Sequence, residues 1–93
     1  MEAVISIDLY LLNHHLPSTT ADEIAAFYLD NADGVTVNRT RIVSTHHLVE
    51  VLRRQKIADI PAMDVPGEVV MGRRKREMVV GLEAIEEWCK EYA

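Results

Sequence analysis

Apolar and polar residues alternate from Val4 to Leu12. Ile5, Ile7, Leu9 and Leu11 share one face, and Val4, Tyr10 and Leu12 make the other partly apolar. Period-two alternation predicts a strand, and apolar residues on both sides predict a central strand of an α/β sheet. The segment Asn13-His14-His15-Leu16-Pro17-Ser18 breaks it. Thr20-Ala21-Asp22-Glu23 then reads as a capping box, the Thr20 hydroxyl serving the Glu23 amide and the Glu23 carboxylate the Thr20 amide. Ala21, Ile24, Ala25, Tyr28 and Ala32 follow at helical spacing with Phe27 beside them, until Asp33-Gly34 stops the helix.

Val35 to Val43 predicts a second, weaker strand. Val35 and Val37 share a face with Arg39 and Arg41, the mark of an edge strand that becomes irregular. Ser44 or Thr45 caps a second helix whose apolar stripe is Leu48, Val49, Val51 and Leu52. Ala58-Asp59-Ile60-Pro61 ends that region. Two short strands, Ala62 to Val65 and Glu68 to Met71, flank Pro66-Gly67, the central pair of a type II turn. Gly72-Arg73-Arg74-Lys75-Arg76 is then a basic loop. A last helix is predicted from Glu77 to Tyr92, with Met78, Leu82, Ile85, Cys89 and Tyr92 as its stripe and Val79 and Trp88 flanking. Gly81 inside that helix would cost about 1 kcal/mol relative to Ala. The predicted order is β-α-β-α-β-β-α: a parallel crossover, then a hairpin, with three helices covering a four-stranded mixed sheet on both faces.

Length sets the domain count: 93 residues make a single domain, 1–93. With 48% apolar, 27% charged and only 5% aromatic residues, the core must be built from Val, Ile and Leu. The run Leu9 to Leu12 is far too short to span a bilayer, and no basic segment precedes an apolar one as in a secretory signal. The lone cysteine, Cys89, allows no internal disulfide, so a reducing, cytoplasmic setting is the expectation. A net charge of −5 is the wrong sign for a default nucleic-acid binder, because phosphate neutralisation needs surplus Lys and Arg.

Ile60-Pro61-Ala62-Met63 followed by Val65-Pro66-Gly67-Glu68-Val69-Val70-Met71-Gly72 resembles the thioredoxin-like superfamily, in which an apolar-Pro-apolar step leads into the third strand. The element order matches along essentially the whole chain. The resemblance implies a cis Ile60-Pro61 bond and places Leu16-Pro17-Ser18-Thr19 where glutaredoxins carry Cys-x-x-Cys, the proline kept and both cysteines absent. Leu9-Tyr10, Pro17, Pro61, Arg76-Glu77 and Gly81-Leu82 are similar to landmarks of the cysteine-free KaiB and SasA-sensor families. What the resemblance implies is a thioredoxin-like fold without thiol chemistry, in which a partner's extended backbone pairs beside the proline.

The remaining chemistry is sparse. Leu16 and Thr19 cannot supply a thiolate, and Cys89, near the C-terminus of the last helix on its apolar stripe, reads as a packing residue. His14-His15 and His46-His47 fall at the same end of the parallel strands, where α/β proteins bind ligands. Adjacent imidazoles rarely share one ion, so solvated or hydrogen-bonded loop histidines are preferred over a metal site, with His14 and His46 or His47 the ligands if one existed. Asp8 reads as a solvent-facing or helix-flanking carboxylate. Arg73-Arg74-Lys75-Arg76 is the strongest charge feature, a phosphate or acidic-partner contact or a solvated loop, and Arg39, Arg41, Arg53 and Arg54 would extend it if they shared its side. The expectation is a non-catalytic interaction or regulatory module without cofactor. It would bind another protein through His14, His15, Leu16, Pro17, Ser18, Ile60 and Pro61. The alternative is a small DNA- or RNA-binding protein, winged-helix-like or using Arg73 to Arg76, with Val43 to Ile57 as recognition helix.

Overall fold

Strand β1, Ile5–Leu12, forms at the centre of the sheet because its alternation gives both faces something to bury. Ile7, Leu9 and Leu11 are fully buried on one side; on the other, Tyr10 is buried and Leu12 partly so. A computed structural model describes residues 5–92, without the side chains of Glu68, Val69, Val70 and Arg74; Val4, at the expected start of the strand, lies outside the described residues. The elements follow as α1 (Leu16–Tyr28), β2 (Val35–Ile42), α2 (Thr45–Gln55), β3 (Ala62–Val70), β4 (Arg73–Val80) and α3 (Leu82–Tyr92). The four strands lie in the order β2-β1-β3-β4, with β1 parallel to β2 and antiparallel to β3, and β3 antiparallel to β4. This is the mixed α/β architecture that the pattern predicts.

Two apolar clusters cover the two faces. On one, Ile7, Leu9 and Leu11 meet Ala21, Ala25 and Leu29 of the α1 region, Met63 and Val65 of β3, and Ile85 and Cys89 of α3. On the other, Tyr10, Ile42, Ile57, Ile60 and Ala62 pack with Leu48, Val51 and Leu52 of α2 and with Met78 and Val80. Val49, expected in the α2 stripe, is instead 52% exposed.

Several boundaries differ from expectation. Helix α1 begins at Leu16, not at the capping box, and the Thr20 hydroxyl donates to the Leu16 carbonyl within the helix. Pro17 accounts for the shift: its fixed φ suits a first turn, where a missing N–H costs nothing. The helix ends at Tyr28 rather than at Asp33-Gly34, and its cap Leu29 is fully buried. Phe27 stands 74% exposed. Strand β2 is the expected edge strand, yet it stays in unbroken register with β1 from Val35 to Ile42. Arg39 and Arg41 do not disrupt it, because Asp22 and Asp30 accept their guanidinium hydrogen bonds. Ser44 caps α2 as expected, accepting from the His47 amide at 3.1 Å.

Pro66-Gly67 is not a turn. β3 runs through it with a register shift against β4 between Pro66 and Val69, the kind of bulge where a strand accommodates Pro and Gly. A side chain at Gly67 would bring its Cβ to 3.0 Å from the Lys75 carbonyl oxygen, so any larger residue would push the two strands apart by a few tenths of an ångström. The chain reverses instead at Met71 and Gly72, both at positive φ (51° and 78°), between the paired Val70 and Arg73. The expected basic loop and the first turn of the expected last helix are therefore strand β4. Their alternation explains this: Val79 joins one cluster while Met78 and Val80 join the other. Gly81 (φ 95°) precedes α3 rather than interrupting it; its carbonyl accepts the Ile85 amide and its N–H donates to the Pro61 carbonyl.

Candidate functional site

At the C-terminal ends of β1 and β2 the chain turns through Asn13, His14 and His15 into α1, with the Asn13 amide donating to the Ile42 carbonyl at 2.8 Å. His14 adopts φ 55° and is exposed. His15 is the N-cap, but its side chain does not cap the helix. It lies 2.8 Å from the Ser18 hydroxyl through Nδ1, and that hydroxyl accepts the Leu12 amide at 2.9 Å. Ser18, only 2% exposed, thus fastens the first turn of α1 to the end of β1. Leu16 on that turn is 78% exposed, and Val43, just past β2 at the same end of the sheet, is 73% exposed.

The Ile60-Pro61 bond is cis, and both residues are buried. Ile60 N–H donates to its neighbour's Asp59 Oδ1 at 2.8 Å, and the Pro61 carbonyl accepts from Gly81. Those two main-chain groups are engaged internally, so they are not the free pairing groups that the resemblance implies. What the end of the sheet offers is side-chain surface. A cleft of about 100 Å³ is lined by Leu12, His15, Leu48, Leu52, Ala58, Asp59 and Ile60. It unites two of the expected contact residues, His15 and Ile60, with five that the sequence pattern does not mark as contact residues. Leu12, Leu48 and Leu52 belong to core stripes, and only the fold shows that their ends stay open beside the exposed Ala58.

The other expected features are dispersed. His46 and His47 lie on α2, and among the described residues no three His, Cys, Asp or Glu side chains gather as a metal would require. In the basic run, Arg76 is committed to the sheet: it donates to Asp64 Oδ1 (2.9 Å), the Asp64 carbonyl (3.0 Å) and the Ser6 carbonyl (2.9 Å), and lies 4.0 Å from Asp8. Arg73 and Lys75 are exposed, and the Arg74 side chain lies outside the described residues. Arg39 and Arg41 sit on β2, at the opposite edge from β4, and Arg53 and Arg54 on the last turn of α2. The strand order therefore keeps Arg39 and Arg41 from extending the β4 run. Strand β1, superfluous to a winged helix, is the centre of the sheet here. Asp8, expected to be solvent-facing or helix-flanking, is partly exposed and hydrogen-bonded by Asn38 at 3.3 Å.

Cys89 is fully buried, and desolvation pushes its thiol up to about 11. A thiolate is thereby disfavoured, the opposite of what exchange chemistry requires. Native protein at mildly alkaline pH is expected to resist a disulfide reagent such as Ellman's, while denatured protein reacts fully. Rapid labelling of the native form would overturn this assignment.

No family model and no curated protein matches this sequence. Among the described residues, no helix is long and apolar enough to cross a membrane.

Proposed function

We propose that this domain is a non-catalytic protein-interaction or regulatory module that docks a partner on the end of the sheet formed by Leu16-Pro17 and the Ile60-Pro61 step. The observation that carries this reading is Leu16, 78% exposed on the first turn of α1, where its neighbours His15 and Ser18 are held in place. An exposed leucine on a hydrogen-bonded, proline-containing turn presents apolar surface at little ordering cost, as binding anchors do. The cleft bounded by His15, Leu48, Leu52 and Ile60 supplies an adjoining apolar recess. Val43 adds a third apolar position at the same end. The absence of a thiol at Leu16 and Thr19, and the sealed Cys89, support binding rather than redox exchange.

The partner is a protein segment with an apolar anchor, held by side-chain contact. Panning a random peptide library displayed on phage against the full chain tests this. Enriched peptides are expected to share an apolar anchor, and Leu16→Lys is expected to weaken them about tenfold or more, the scale of losing one hot-spot contact. Phe27→Lys, on the outer surface of α1, should leave them bound. No enrichment, or equal binding by the Leu16→Lys protein, would overturn the proposal.

A further inference from the structure

Helices α1 and α3 share one apolar cluster on one face of the sheet, through Ala21 and Ala25 of the first and Ile85 and Cys89 of the second. Outside that cluster a groove of about 380 Å³ runs between them. Glu23, Ile24, Phe27 and Tyr28 line it from α1, Glu86 and Lys90 from α3. Phe27 is the chain's single phenylalanine, yet it stands 74% exposed. Its ring meets Tyr28 edge-on, with centroids 4.9 Å apart and planes at 83°, so the groove has a braced aromatic wall. The charge around it is mostly of one sign. α1 carries no Lys or Arg, and α3 carries only Lys90, which lies 3.0 Å from Glu86. Glu23, and Glu83 just ahead of Glu86 on α3, have no ion-pair partner among the described residues. The one cation present shows what the groove accepts: Glu86 foremost, with Tyr28 and Glu87 adding to it, raises the Lys90 ammonium above its ordinary value.

We propose that this groove docks a basic amphipathic helix of a partner protein, its apolar side on Ile24, Phe27 and Tyr28 and its cations toward Glu23 and Glu83. Charge selects the occupant. Nucleic acid and anionic lipid would meet carboxylates, and a second copy docking symmetrically through this face would set glutamate against glutamate. Conformation follows from the walls. The main-chain groups of α1 and α3 are spent within their own helices, so the groove offers side chains only, and a segment seated there satisfies its own main chain as a helix does. This surface is separate from the one proposed at Leu16, which lies on the first turn of α1, roughly 16 Å along the helix axis from Phe27.

Titrating the isotopically labelled full chain with a synthetic helix-forming peptide, leucine on one side and lysine on the other, tests this. Saturable amide shifts centred on Glu23, Phe27 and Glu86 are expected, with binding weakened by added salt. Phe27→Ala should weaken it about tenfold, the scale of one aromatic anchor, and Glu23→Lys about threefold, the scale of one exposed ion pair. Both positions are exposed, so neither variant should lower the melting temperature appreciably. Leu16→Lys should leave this peptide bound, so failure here is distinguishable from failure at the Leu16 surface. The assignment would be overturned by absence of saturable shifts, by unchanged binding in both variants, or by equal binding of a peptide with serine in place of leucine. Phe27 shifts that move on dilution of the chain alone would show a second copy in the groove and overturn it as well.

Discussion

Leu9→Ala is expected to lower the unfolding free energy by about 2–5 kcal/mol, the range for truncating a fully buried leucine. Leu9 is 0% exposed and sits midway along β1, paired with Arg39 on one side and Met63 on the other. The cavity left would be walled by hydrogen-bonded strands on both sides, and α1 and α3 cover it from above. Strands held in register cannot collapse inward, so the cost should fall in the upper half of that range. A domain of 93 residues has a total stability of roughly 5–14 kcal/mol, so a single truncation removes a large share of it. Urea titrations read the effect as a lower midpoint at unchanged slope. Leu9→Met, which conserves volume, should cost less than about 1.5 kcal/mol. A loss below about 1 kcal/mol for Leu9→Ala would mean that the core is not packed around this strand. Leu16→Ala is the informative contrast: an exposed leucine outside the core should change stability by no more than about 0.5 kcal/mol. Equal stability loss at Leu9 and Leu16 would make Leu16 a packing residue and remove it as a docking anchor.

Elements whose local signal agrees with their tertiary role are legible in the sequence. The alternation in β1 persists because both faces are covered, and the Ser44 cap is legible because its hydroxyl accepts the His47 amide just ahead of the apolar stripe that begins at Leu48. Where two local signals compete, burial decides. Thr20 to Glu23 is a sound capping box, but Pro17 and the buried Ser18 start the helix earlier, tying it to the end of β1. Pro66-Gly67 has turn chemistry, but Val65 is fully buried and β3 continues past it to a turn at Met71-Gly72. The basic run looked like a loop because four consecutive cations hide a period-two pattern that only Met78, Val79 and Val80 reveal. The end of the sheet proposed for docking was partly legible in position: His15 and Ile60 line one cleft there, and Leu16 is exposed next to His15. The cleft beside them was not, because Leu12, Leu48 and Ala58 come from separate parts of the chain and meet only in the fold.

Asp22→Asn is expected to destabilise the domain by about 1–2 kcal/mol near neutral pH, and by progressively less as the solution is acidified. Asp22 on α1 accepts from Arg39 Nε and from Arg41 Nη2 (2.8 Å), while Arg39 Nη2 also donates to Asp30 (2.9 Å). The cluster fastens α1 to the edge strand β2. Burial alone would push the Asp22 carboxyl up, but the hydrogen bonds and charges of Arg39 and Arg41 more than offset it and hold the group below its ordinary value. A carboxylate with a lowered folded pKa contributes stability that is present above its unfolded value of about 3.9, and that is lost as pH falls through the folded value. Asparagine keeps the shape without the charge, so the difference between the two proteins isolates this one titration. Asp22 and Arg39 are 26% and 24% exposed, which places the pair between a surface ion pair, worth about 0–1 kcal/mol, and a buried one, about 3–5 kcal/mol to break. Urea midpoints measured for both proteins from neutral pH down to about pH 2 should converge at the acid end. A difference that stays constant with pH would show that Asp22 acts through packing alone. The clamp also bears on the proposed docking. Leu16 would present a defined surface only while α1 is held against the sheet, and Asp22 lies on that helix in its second turn. Asp22→Asn should therefore weaken peptide binding at Leu16 less than Leu16→Lys does, through looser positioning of the helix and with no change in the peptides selected.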